Sequence, residues 1–179
     1  MSVTSSVYFA QTSSPLGTII LVARGARLCG LYFEDTPDVL RHPNFDSAGA
    51  IENPAQRCCP PEVDLLFERV KRQLHAWFDR RTIRFDIPLC LSGTPFQQSV
   101  WRILQQIPYG HCLTYGQVSL RLTGNLRSSR AVGAAIGHNP VSIIVPCHRV
   151  IGADGRLTGF SGGLHRKSAL LAHEGYLLV

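Results

Sequence analysis

No stretch of this sequence stays apolar for the roughly 20 residues that a membrane-crossing helix requires, so no spanning segment is expected. The opening Met1-Ser2-Val3-Thr4-Ser5-Ser6 lacks a basic segment leading into an apolar one. That removes the outline of a secretion signal and points to the cytoplasm. Pairing signals among the cysteines are missing as well. The six of them, Cys29, Cys58, Cys59, Cys90, Cys112 and Cys147, include no Cys-x-x-Cys pair, and the adjacent side chains of Cys58 and Cys59 diverge. Spacing therefore argues for neither a zinc site nor a disulfide framework, and the thiols read as reduced, several of them packed as small hydrophobes. Internal repeats and low-complexity tracts are absent. The glycine-rich stretch 152–163 has the wrong order and the wrong strand–helix context for a dinucleotide loop. Neither metal nor cofactor is expected.

Acidic residues are scarce in one half only. Residues 1–92 carry ten Lys and Arg against ten Asp and Glu, whereas residues 93–179 carry eight against two, Asp154 and Glu174. The whole +6 excess thus lies in the second half. Such a field attracts polyanions and speeds their capture, although many ordinary surfaces are basic too. At 179 residues the chain is long enough to bury a core, as one domain or as a small domain beside a larger one.

The first third reads as strands near 7–10, 18–23 and 28–33, separated by Ser13-Ser14-Pro15-Leu16-Gly17 and Arg24-Gly25-Ala26. Residues 42–61, rich in Pro, Asn and Gly, fit an exposed loop. Val63, Leu66, Val70, Leu74 and Trp77 then recur at helical steps and predict one apolar stripe. A further strand is expected over 82–87. Residues 88–93 read as a linker, placed where the charge balance changes.

Thr94-Pro95 predicts a helix start, with Thr as N-cap and Pro in the first turn, and Phe96, Val100, Leu104 and Ile107 as the buried face. Two short helices near 115–122 and 127–137, joined by Thr123-Gly124-Asn125-Leu126, give the outline of a helix-turn-helix. Ala131-Val132-Gly133-Ala134-Ala135 in the second has almost no bulk. Small side chains allow close approach to a neighbouring surface, which is either protein core or a nucleic-acid groove. Residues 141–145 read as a buried strand leading into Pro146-Cys147-His148-Arg149-Val150, and a final helix near 164–174 ends at Gly175.

A cysteine beside His148 and Arg149 sits among groups that favour thiolate, the nucleophilic form. Adjacent residues on a strand face opposite ways, so His148 reaches Cys147 only if the backbone turns or a water bridges them. A base also needs an orienting partner, and Glu174 is one of only two acids in this half. The alternative is a core cysteine, a hydrogen-bonded histidine and a surface carboxylate. Isolated from further context, the pair does not choose between these readings.

The wider pattern is more specific. Pro146-Cys147-His148-Arg149-Val150 resembles the active-site signature of the O6-alkylguanine-DNA alkyltransferases. Gly93-Thr94-Pro95-Phe96-Gln97, Ile107-Pro108-Tyr109-Gly110, Thr114-Tyr115-Gly116-Gln117, Arg130-Ala131-Val132-Gly133-Ala134, Asn139-Pro140, Gly159-Phe160-Ser161-Gly162-Gly163 and His173-Glu174-Gly175 are similar to that family too, in its order. The resemblance covers nearly all of residues 93–179.

It implies an α/β (α+β) fold. A small RNase H-like sheet-plus-helix domain (1–88) would precede a mostly helical, winged-helix-like domain with a helix-turn-helix (93–179). It implies transfer of a methyl or other alkyl group from O6 of guanine, with O4 of thymine as a further candidate, irreversibly onto Cys147. His148 would deprotonate Cys147 through a water, and Glu174 would orient His148. Tyr115 would help rotate the nucleotide out and bond the ring nitrogen of the leaving guanine. Arg130 would enter the duplex, with Ser129, Ala131 and Gly133 beside it allowing close approach to the minor groove. Val150 and Ser161 would bind the flipped base, and Asn139 would tie the recognition helix to the active-site strand. The implied partner is double-stranded DNA bearing O6-alkylguanine, met by a monomer, with no metal, cofactor or membrane.

Departures are visible. Residues 1–92 follow the family only loosely, and Phe160 stands where relatives often have Tyr. Two other classes compete: a lesion-binding module without transfer, set against by the presence of Cys147, and a Cys-His hydrolase or redox enzyme, which explains neither Tyr115, Arg130 nor the segregated charge.

Overall fold

The structure is a computed structural model, and it describes residues 6–36 and 59–176. The loop expected over 42–61 falls almost wholly outside the described residues. The chain divides into two compact units, Met1–Cys90 and Leu91–Val179. It is a mixed α/β protein, with small sheets and, among the described residues, five α-helices.

In the first unit β1 (Val7–Thr12), β2 (Ile19–Arg24) and β3 (Arg27–Phe33) form an antiparallel sheet in that order. Gly25, at φ +54°, makes the tight link between β2 and β3, a conformation that glycine adopts without steric cost. The central strand is apolar on both faces, and Ile19 to Ala23 are fully buried. Helix α1 (Pro61–Phe78) packs against this sheet. Its buried residues are the predicted stripe, Val63, Leu66, Val70, Leu74 and Trp77, with Phe67 added.

The strand expected over 82–87 does not form. The side chain of Gln73 on α1 takes both backbone groups of Asp86, accepting from its N–H at 2.7 Å and donating to its carbonyl at 3.1 Å. Arg69 of α1 pairs with the Asp86 carboxylate. Backbone groups satisfied by a helix's side chains have no need of a ladder.

In the second unit α2 (Pro95–Gln105) begins with a reciprocal capping box between Thr94 and Gln97. Its buried residues are Val100, Trp101 and Leu104, while Phe96 is 36% exposed, contrary to the expected face. At about 100° per residue the buried arc centres on Leu104, and Phe96 lies at its edge. The Trp101 ring N–H donates to the Ala135 carbonyl at 2.9 Å, which fixes this rotation.

Strand β4 (Leu113–Thr114) leads into α3 (Tyr115–Thr123), started by a second capping box between Thr114 and Gln117 and ended by Gly124 in the left-handed region. After a short turn α4 (Ser129–Gly137) packs on both α2 and α3. A 3-10 turn (Cys147–Arg149) feeds β5 (Val150–Ile151), which pairs in parallel with β4, and α5 (Leu164–His173) closes the unit.

The buried strand expected over 141–145 is instead a turn. Val141, Ile143 and Val145 are apolar because they are buried, and burial alone does not separate a strand from a compact turn. Ile143 sits at φ +69°, a costly region for a β-branched side chain. The Asn139 side chain holds it there, accepting from Val141 N–H at 3.1 Å and donating to the Val145 carbonyl at 2.8 Å.

Candidate active site

Cys147 opens the 3-10 turn and retains 3% of its surface. Because the chain turns here, the opposite-face difficulty of a strand does not arise for Cys147 and His148. His148 is wholly buried; its Nε2 lies 2.9 Å from Glu174 Oε1, and its Nδ1 has no partner among the described residues.

Glu174, at the C-cap of α5, is the centre of a wider network. Arg149 donates through Nε to Glu174 Oε2 at 2.9 Å and through an Nη to Oε1 at 2.8 Å. Gly110 N–H donates to Oε2 at 3.1 Å. Burial works to raise the Glu174 carboxyl, but the hydrogen bonds from His148 and Arg149 outweigh it and hold the group at about 2. Arg149 also donates to the Ile107 carbonyl at 2.6 Å and lies over the Tyr109 ring. Its charge is therefore spent on Glu174 rather than on Cys147.

Burial raises the Cys147 thiol above its ordinary value, opposed by hydrogen bonds from the Asn139 and Ser142 side chains and by the charge of Lys167. Burial likewise lowers His148, although Glu174 opposes that shift. The resting pair is thus a neutral thiol beside a neutral imidazole. That differs from the thiolate suggested by His148 and Arg149 as sequence neighbours, for the reason just given.

Lys167 belongs to none of the motifs that the sequence displays. It is fully buried on α5, and its Nζ donates to the carbonyls of Thr158 at 2.6 Å and Gly159 at 3.3 Å. It lies 5.9 Å from the Tyr115 ring centroid. Burial pulls it down to about 8, with Cys147 and Cys112 opposing. One signal was available: a lysine three and four residues before Leu170 and Leu171 falls within an apolar stripe. Tyr115, half-buried at the start of α3, donates its hydroxyl to the Thr158 carbonyl at 2.9 Å, and burial keeps it a phenol.

The remaining expected residues are spread around this centre. Asn139, just past the end of α4, bonds Val141 and Val145 in the turn that replaces the expected active-site strand. Arg130 and Ala131 are exposed on α4, Ser129 donates to the Leu126 carbonyl at 2.6 Å, and Gly133 faces the Tyr115 ring, where an added Cβ would stand 3.6 Å away in ordinary contact. Val150 is buried and Ser161 half-buried. Among the described residues no group of three or more His, Cys, Asp or Glu could hold a metal ion, and no helix is long and apolar enough to cross a membrane.

A buried cysteine next to a carboxylate-anchored histidine, set behind two packed short helices, defines a cysteine-nucleophile site in a helical unit. Residues 95–176 match the family described as 6-O-methylguanine DNA methyltransferase, DNA binding domain. The methylated-DNA–protein-cysteine methyltransferase of Methanosarcina acetivorans is 41% identical over 170 residues, covering 94% of this chain and 99% of that protein. Its namesake from Mycolicibacterium paratuberculosis is 42% identical over 94% of this chain and 92% of its own length. Among solved structures, Mycobacterium tuberculosis OGT in complex with DNA superposes with a TM-score of 0.75 at 39% identity, over 93% of this chain and 92% of that one. The chain belongs to the methylated-DNA–protein-cysteine methyltransferase family.

Proposed function

We propose that the protein repairs DNA by moving an alkyl group from O6 of guanine to Sγ of Cys147, each molecule reacting once. The observation that carries this is buried His148, the chain neighbour of Cys147, whose Nε2 meets Glu174 while its Nδ1 is left without a partner among the described residues.

With Nε2–H donating to Glu174, the lone pair of His148 rests on Nδ1, ready to receive the thiol proton directly or through a water. The thiolate attacks the alkyl carbon in line, the carbon–oxygen bond breaks, and charge develops on the guanine. Tyr115, kept as a phenol, is suited to donate to a guanine ring nitrogen and stabilise that charge. Lys167 supplies a nearby positive charge that favours the thiolate as it forms. The product is a thioether, which water does not hydrolyse readily, so the sulfur is consumed. O4-alkylthymine carries the same alkyl–oxygen bond and is a second candidate substrate.

At 3% exposure the sulfur is out of reach of a base still stacked in a duplex, and the nucleotide has to leave the helix first. Exposed Arg130 on α4 is suited to fill the gap, with Ser129, Ala131 and Gly133 adding little bulk in the minor groove. Val150 and Ser161 are assigned to the flipped base. The same reading makes the sheet-plus-helix unit RNase H-like and the helix-turn-helix unit winged-helix-like, with residues 93–179 binding DNA. It takes the protein as a monomer acting in the cytoplasm.

Mass spectrometry after incubation with O6-methylguanine DNA tests the reading. One CH2 gained per chain, mapped to Cys147 and lost in Cys147→Ala while DNA binding survives, is the expected result. Tight binding without any gain would leave a lesion sensor; transfer by Cys147→Ala would require another acceptor.

A further inference from the structure

A second pair of sulfurs lies in the first unit. Leu28 and Leu89 form a parallel bridge in which Leu28 N–H donates to the Pro88 carbonyl at 2.9 Å and Cys90 N–H donates to the Leu28 carbonyl at 2.9 Å. Cys29, left unpaired by the register shift between β2 and β3, and Cys90 are the next residues along the two bridged segments. Chains paired this way lie about 4.8 Å apart. Disulfides span Cα separations of about 4.4–6.8 Å, a range that the bridged backbone at Leu28 and Leu89 already meets one residue earlier on each segment. Both thiols are free and half-buried. Cys29 lies where the sheet packs around Ile20 and Val22. The two sulfurs sense each other, since ionisation of Cys90 opposes that of Cys29.

We propose that Cys29 and Cys90 form a redox-active dithiol that small disulfides of the glutathione class oxidise to an intramolecular bond, a modification site separate from Cys147. The Cys90 thiolate attacks one sulfur of the oxidant, whose S–S bond breaks and releases one glutathione thiolate. The Cys29 thiolate then attacks the Cys90 sulfur of the mixed disulfide and expels the second glutathione. The protein loses two hydrogens and two electrons, and the oxidant leaves as two thiols. Burial pushes the Cys29 thiol up to about 11, with the charge of Arg24 opposing, so closure is the slow step and quickens with pH. The bond would fasten the last residue of the first unit to β3.

The test uses the full-length reduced chain, glutathione disulfide as oxidant, iodoacetamide to cap remaining thiols, and tryptic mapping. The expected product joins peptides 28–41 and 85–102 through Cys29 and Cys90, two hydrogens lighter than their sum and reversed by dithiothreitol. Its closure rate should rise about tenfold per pH unit below the Cys29 value. Cys29→Ser should leave Cys90 as a stable glutathione adduct. Separate adducts on the two residues, or both recovered with the iodoacetamide label while other thiols oxidise, would overturn the proposal. Should the serine variant fail to fold, the mapping of the unaltered chain still decides.

Discussion

His148 and Glu174 meet at 2.9 Å through Nε2 and Oε1, and the same carboxylate is gripped by Arg149 on both of its oxygens. The residue that orients the base is therefore also the counter-charge of a buried guanidinium. Glu174→Gln should cost function and stability together. We expect single-turnover transfer to slow by roughly 100-fold or more through loss of general-base orientation. Unfolding in urea should show about 3–5 kcal/mol lost, because Arg149 stays buried without a carboxylate. A variant as stable as the parent would disprove the pairing.

The same carboxyl gives an acid signature. Burial opposes its ionisation, but His148 and Arg149 hold it at about 2 rather than 4.5. A folded value below the unfolded one contributes stability that is complete above pH 4.5 and lost as pH falls through about 2. Unfolding free energies measured from pH 5 to 2 should slope less in Glu174→Gln than in the parent. Parallel curves would contradict the assignment.

Lys167 gives a slope of the same sign in a higher pH window. Its folded value of about 8 lies below the ordinary 10.5, so between these the unfolded chain alone keeps the proton and stability rises with pH. Lys167→Met should abolish that rise. It should also move the pH profile of Cys147 alkylation by iodoacetamide to higher pH, with about tenfold less thiolate for each unit. An unmoved profile would show that the ammonium does not act on the sulfur.

Much of this was legible because its causes are local. Thr94 with Gln97 and Thr114 with Gln117 start helices through contacts three residues apart, and Gly124 and Gly175 end them. What escaped depends on side-chain contacts that hydrophobic pattern and propensity do not reveal. The apolar run 141–145 is buried like a strand, yet Asn139 folds it into a turn. Residues 82–87 have β-like composition, yet Gln73 takes the Asp86 backbone. Arg149 looked like a cation for Cys147 until the chain brought Glu174 to it from 25 residues away.

Arg130→Ala should weaken repair of duplex DNA roughly 10- to 100-fold, since extruding a nucleotide costs a few kcal/mol. Reaction with free O6-benzylguanine needs no extrusion and should change little. Side-by-side rate constants check this, and equal losses would remove Arg130 from that role.

Asn139→Ala leaves the buried Val145 carbonyl without its 2.8 Å donor. The expected loss is about 1–3 kcal/mol in thermal or urea unfolding. Slower alkylation of Cys147 should accompany it, as the turn that aims the sulfur loosens. Unchanged stability would mean that the turn holds itself.

Few of the second unit's cations remain to face a polyanion. Arg149 is neutralised internally by Glu174, Arg156 stands 3.6 Å from Asp154, and Arg166 and Lys167 are buried. Arg102, Arg121, Arg127 and Arg130 are exposed, with no carboxylate partner among the described residues. Four guanidiniums displace few condensed counterions. At about 0.9 per phosphate, these four give this unit's affinity for DNA a logarithmic salt slope of about −3.6, steepened by about one if highly exposed Arg156 joins them, shallow enough for search to continue in concentrated electrolyte.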